Sequence, residues 1–230
     1  LPPARPSATR RSVVVALLAG LVMTLLLTTG GPSAGPVTAP AAVTASDWTP
    51  RTGAVFNRPV GTSAEQRAIF AQVNRAIDAT PSGATIRIAV FSFADEPTAT
   101  RLINAYRRGV RVQLIFNGHE VYPQETRLQK VLGKDRSKGS FAYFCDRSCR
   151  GDRGQMHQKT FLFSKVGSAE RVVMVGSNNM TRNNVDNQWS DLYTVVDDPA
   201  LYWTFEGMFE QLRADRPLAR PFIDSTVNEY

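Results

Sequence analysis

Cysteine and histidine are scarce: the 230 residues hold two of each. Two thiols, Cys145 and Cys149, cannot make a four-ligand structural zinc site, and no second pair lies near them. Acids are also outnumbered, 20 Asp and Glu against 27 Lys and Arg, for a net charge of +7. Arg5, Arg10 and Arg11 precede every acid, so the rest of the chain carries +4. That balance suits an anionic partner without separating lipid headgroups from nucleic acid. Hydrophobic residues at 43% and charged residues at 20% are ordinary for a folded domain, which argues against a disordered chain.

The longest apolar run is Val13 to Leu27, behind Arg10 and Arg11 and ahead of a stretch rich in Pro, Gly, Ala and Thr. Val43-Thr44-Ala45 places small residues where a signal peptidase cuts. Residues 1–45 therefore read as a cleaved signal peptide of a secreted, extracellular protein, with an uncleaved membrane anchor as the alternative. In an oxidising compartment Cys145 and Cys149 are expected to form a small-loop disulfide. Residues 46–62 read as a Pro/Ala-rich linker, 63–216 as the folded domain and 217–230 as a tail.

Within the domain, strand and helix patterns alternate. Thr62 and Glu65 have capping-box spacing, and Ile69, Val73 and Ile77 mark one helical face. Thr85–Phe93 is almost continuously apolar and reads as a buried strand. A helix from Pro97 to Arg108, a strand from Val110 to Phe116 and a helix from Glu125 to Leu132 follow. Further strands are expected over Phe141–Phe144, Met156–Phe163, Arg171–Ser177 and Asp191–Val196, with a closing helix over Ala200–Ala214. This alternation predicts an α/β fold: a mixed β-sheet flanked by helices on both faces.

Two of these strands carry the chemistry. On a strand, residues two apart share a face, so His157 and Lys159 project together and Phe161 and Phe163 continue their row inward. A neutral imidazole beside a fixed ammonium supplies a nucleophile and a clamp for charge developing on a phosphate. Gly176-Ser177-Asn178-Asn179 ends the next strand with hydroxyl, amide and backbone donors.

His157-x-Lys159 followed by Gly176-Ser177-Asn178-Asn179 resembles the signature of the phospholipase D superfamily. The likeness spans roughly residues 63–215 and departs at Ser164, where the family pattern has Asp. It implies a phospholipase D-like sandwich and a phosphodiesterase that works through a covalent phosphohistidine without metal or other cofactor. His157 would be the nucleophile. Lys159, Ser177 and Asn179 would hold the nonbridging oxygens, with Asn178 as the alternative amide. Asp191 would orient the imidazole. The family uses two His-Lys sets, and this chain has one. The second histidine is expected from a homodimer or from a missing C-terminal half, while His119 is a weaker acid candidate. Phosphatidyl lipid is the first substrate expected, with possible membrane-surface contact. Nucleic acid is the alternative, since short single-motif members are dimeric nucleases. A non-catalytic phosphate-binding module is the remaining reading.

Overall fold

A computed structural model of the protein describes residues 46–219. The expected signal peptide lies outside the described residues, as do residues 220–230 of the expected tail. Seven strands form one mixed sheet: β1 (Gly53–Phe56), β2 (Thr85–Val90), β3 (Arg111–Asn117), β4 (Phe141–Cys145), β5 (Lys159–Val166), β6 (Ala169–Gly176) and β7 (Asp191–Val195). Their spatial order is β1-β7-β6-β5-β2-β3-β4. The β2–β3 and β3–β4 pairs are parallel and the other four are antiparallel. The helices are α1 (Ser63–Gln66), α2 (Ala68–Asp78), α3 (Glu96–Arg107), α4 (Pro123–Leu132), α5 (Arg182–Asn187) and α6 (Pro199–Ala214).

Local chemistry bounds these elements. The Thr62 hydroxyl accepts from the Glu65 backbone N–H and the Glu65 carboxylate accepts from the Thr62 N–H, which closes the expected capping box on α1. Asp95 caps α3 by accepting from the Thr98 N–H at 3.0 Å. Such caps contribute about 1 kcal/mol each. Gly109, just past α3, holds φ at +93°, a conformation that a side chain would strain.

Alternation along the strands sends side chains to two cores. On one face, Ile86, Ile88, Leu114, Phe161, Phe163 and Met174 pack with α2, α3 and α4. On the other, Ala89, Ile115, Leu162 and Val173 pack under Tyr202, Phe209 and Leu212 of α6. Each such large apolar side chain contributes roughly 1.5–3 kcal/mol when fully buried. Helices thus cover both faces, as the alternating pattern predicts.

Three differences from the sequence reading matter for the site. The expected linker contributes β1, which pairs antiparallel with β7 and places Phe56 opposite Asp191. Its alternation is only four residues long, too short to stand out beside Pro50 and Pro59. Helix α5 has no periodic signal in the sequence; Thr181 caps it, but only Asn184 and Val185 are buried, so it shows no apolar stripe. The strand expected from Met156 begins at Lys159. His157 lies just before it, and the Gln158 carbonyl still accepts from the Phe91 N–H at 3.1 Å.

Candidate active site

The five residues expected to form the site, His157, Lys159, Ser177, Asn179 and Asp191, lie at one end of the sheet. The start of β5, the end of β6 and the start of β7 coincide there because both pairs are antiparallel. The ends of β2 and β3 reach the same edge, since β2 runs antiparallel to β5 and parallel to β3.

Lys159 is buried at 4% exposure, in the same row as Phe161 and Phe163. Its Nζ lies 2.9 Å from His157 Nδ1 and 3.1 Å from Nε2, and it donates to the His157 carbonyl at 2.9 Å. A neutral imidazole has one acceptor nitrogen, so only one of the two ring contacts is a hydrogen bond. The ammonium therefore fixes His157 by ring and backbone together. Burial lowers the Lys159 pKa from its ordinary 10.5 to about 8. Partial burial, then the Lys159 charge, then His119 hold the His157 pKa below its ordinary 6.5. The outcome at neutral pH is an uncharged imidazole against a charged amine.

Phe91, just beyond β2, organises the rings. His119 stacks on it at 3.9 Å between centroids, and His157 tilts against it at 4.7 Å. Lys159 Nζ stands 5.4 Å from the same ring. His119 is held there by Asn117, whose Oδ1 accepts from the His119 N–H at 3.2 Å and whose amide donates to the Arg147 carbonyl. The two histidines of the chain thus share one aromatic support. No sequence signal marks this, because Phe91 reads as one more apolar residue of a buried strand.

Ser177, Asn179 and Asp191 form the adjoining wall. Gly176 permits a close strand crossing: a Cβ there would stand 2.1 Å from the Asp191 carbonyl oxygen. The Ser177 hydroxyl donates to the Asp191 carboxylate at 2.5 Å and accepts from the Asp191 N–H at 3.2 Å. The sequence reading gives Asp191 to the His157 ring; the bond the structure gives its carboxylate is to Ser177. Of the two asparagines, Asn178 turns inward, its Oδ1 accepting from Asn184 Nδ2 at 2.7 Å. Asn179 is half-buried, and its side-chain Oδ1 is buried without a partner. Asn184 anchors this turn by also donating to Ser190 Oγ at 2.7 Å and accepting from the Asn179 N–H at 2.8 Å. That network is invisible in a sequence where Asn184 is one of several asparagines near Thr181.

A cleft of about 320 Å³ opens beside His157. Met156, Ser148, Leu212 and the basic Arg150 and Arg153 line it with the imidazole. Cys145 and Cys149 are joined in a disulfide, as expected, and their loop forms part of this wall. Among the described residues, the one group of metal-ligating side chains close together is Cys145, Cys149 and Asp215, and its two sulfurs are bonded to each other. Ser164, at the position of the family's Asp, lies five residues from Lys159 at the far end of β5. Its hydroxyl accepts from the Thr85 N–H at 2.8 Å, so the departure does not touch the site.

Comparison with known proteins agrees with this fold. The family model described as "Cardiolipin synthase, PLD-like domain" matches residues 75–213, more than half of the chain. The solved structure of NucT from Helicobacter pylori is 19% identical, superposes with a TM-score of 0.52, and matches over 70% of this chain and 96% of its own. Nuc from Salmonella typhimurium, titled a phospholipase D family member, is 17% identical with a TM-score of 0.50, over 70% of this chain and 93% of its own. No curated protein sequence matches the chain. With the sandwich fold, the paired His157 and Lys159 and the family match over residues 75–213, the chain belongs to the phospholipase D superfamily of phosphodiesterase-fold proteins.

Proposed function

We propose that the protein is a secreted phosphodiesterase that cleaves its substrate through a phosphohistidine on His157. The observation that carries this reading is the pairing of a neutral-leaning His157 with the buried Lys159 ammonium at the mouth of a basic cleft. Lys159 turns from the ring to the substrate's nonbridging oxygens, the acceptor nitrogen it leaves attacks phosphorus, the bond to the leaving oxygen breaks, and that oxygen takes a proton from an acid. Water then attacks the phosphohistidine and returns the imidazole. Lys159 neutralises the nonbridging oxygens while the uncommitted amide of Asn179 donates to them. Asp191 accepts the hydrogen bond of the Ser177 hydroxyl and so holds the turn that carries Asn179. The acid is a second histidine: His157 of a twofold-related copy, or His119 across Phe91.

A polynucleotide strand is the substrate class we favour. The chain matches two short structures over almost their whole length, and Arg150 and Arg153 flank the nucleophile. This reverses the order of the two substrates read from sequence. Phosphatidyl lipid stays the second reading because Phe56 and Trp189, each 68% exposed, stand beside Asp191 and offer a surface for a bilayer interface. Secretion is supported by the disulfide. No helix among the described residues is long and apolar enough to cross a membrane.

The test assays the chain on single-stranded DNA and on phosphatidylcholine vesicles in parallel, with His157→Ala as control. Cleavage of DNA, lost in the variant, is expected. Equal turnover by the variant on either substrate removes the catalytic reading. Specific activity that rises with protein concentration assigns the acid to a second copy. Activity independent of concentration and lost in His119→Ala assigns it to His119.

A further inference from the structure

The far end of the sheet holds a larger cleft, of about 510 Å³. Small-ligand pockets occupy roughly 300–1,000 Å³. It lies where β2 and β3 begin and β5 ends. Ser164 in its wall is five residues along β5 from Lys159, or about 16 Å at the rise of a strand. It is therefore separate from the active site.

Four cations line it, Arg87, Arg111, Lys165 and Arg171, against two carboxylates, Glu170 and Glu206. The two carboxylates offset only part of the charge, since four cations stand against two acids. Arg87, largely buried, gives one guanidinium nitrogen to Glu206 at 2.5 Å and another to the Tyr202 hydroxyl at 3.2 Å, while its Nε is buried without a partner. Arg111 donates to Thr85 Oγ1, a neutral group. Arg171 meets Glu170 only at 3.4 Å. Its φ of +52° lies in the left-handed region, which non-glycine residues rarely adopt and which is found disproportionately at functional sites. Lys165 is exposed and has no ion-pair partner among the described residues.

An aromatic platform stands at the same cleft. Trp203 lines it while 55% exposed, although it belongs to the core-covering helix α6. Tyr202, packed edge-on at 5.2 Å between centroids, braces the indole. Cations beside a braced, exposed ring form the combination that recognises nucleotides by phosphate and base together.

A departure from the family motif falls here. Ser164 occupies the position at which the pattern carries Asp, and its hydroxyl lines this cleft. An aspartate would add a third carboxylate and repel an anion. Serine keeps the acceptor that Thr85 needs and removes the charge.

We propose that this cleft is a second binding site that takes a nucleotide unit, with phosphate among Arg87, Arg111, Lys165 and Arg171 and the base on Trp203. The nucleotide is a free mononucleotide or one residue of a single strand. The site does not rest on the catalytic reading and would bind if His157 were inert.

The test uses the full chain carrying His157→Ala, so that no probe is consumed. Binding of AMP is followed by calorimetry and of a fluorescein-labelled single-stranded DNA 10-mer by anisotropy. Three changes are added singly: Trp203→Ala, Ser164→Asp, and the double change Lys165→Ala with Arg171→Ala. Each is expected to weaken binding roughly ten-fold or more. The double change also lowers the salt dependence of strand binding by about 1.4 in log–log slope, for two lost phosphate contacts. Sensitivity of both probes assigns a free nucleotide site; sensitivity of the 10-mer alone assigns a strand site. Trp203, Lys165 and Arg171 are exposed enough to change without unfolding the chain, and far-UV circular dichroism verifies this. Absence of binding by both probes, or affinities that none of the changes moves, overturns the proposal.

Discussion

Replacing Lys159 with Met should make the protein more stable while destroying its activity. Lys159 is a charge held in an apolar row, with Phe161 and Phe163 next along the strand. Burial lowers its pKa from 10.5 to about 8, and a difference of that size corresponds to about 3 kcal/mol of cost to the charged form. Methionine fills a similar volume without that cost. It forfeits the hydrogen bonds to the His157 carbonyl and to one ring nitrogen, about 1 kcal/mol each. The net expectation is a gain of about 1 kcal/mol at pH 7. The sign has a pH signature. The folded pKa lies below the unfolded one, so between them the unfolded chain binds the extra proton, and wild-type stability rises with pH through that window. The variant lacks this term, so its lead should shrink between pH 8 and 10.5. Urea denaturation of both proteins across that range measures the difference, and titrations common to both cancel. Turnover should fall by roughly 10²–10³, the usual effect of removing one charge-stabilising donor. A variant less stable than wild type at pH 7, or a stability difference that ignores pH, would refute this account of Lys159.

The same two residues predict a bell-shaped pH dependence of kcat/KM. The acid limb falls as His157 gains a proton, below its ordinary 6.5, and the alkaline limb falls near 8 as Lys159 loses one; a profile flat across both limbs contradicts it. Asn184→Ala should strand Asn178 Oδ1, Ser190 Oγ and the Asn179 N–H, costing at least about 3 kcal/mol and lowering the melting temperature by about 10 °C. A drop within scan error would show that the network is dispensable. Asp191→Asn should reduce kcat roughly ten-fold with KM little changed, because it loosens Ser177 rather than removing a substrate contact. An unchanged kcat would count against any supporting role for Asp191.

Much of this architecture is legible in the sequence because its signals are local. The capping box at Thr62, the apolar face of Ile69, Val73 and Ile77, and the buried strand from Thr85 each depend on neighbours within a few residues. The pairing of His157 with Lys159 is equally local. What the sequence hides depends on packing between distant segments. β1 exists because β7 offers it an edge, and its four residues carry no strong pattern of their own. Asp191 meets Ser177 because Gly176 lets two strands approach closely, a fact of tertiary register. His119 reaches the site because the parallel β2 and β3 bring their ends to one edge, where Phe91 receives both imidazoles. Ser164 looks like damage to a motif in sequence; in space it belongs to a different cleft.

The most direct test is to trap the covalent intermediate. The chain is mixed with a phosphodiester substrate, quenched within the first turnover, digested, and the peptides are weighed under conditions that preserve phosphohistidine. A phosphoryl adduct on the peptide containing His157, absent in His157→Ala, is predicted. Turnover without any adduct, or an adduct on another residue, would contradict the account.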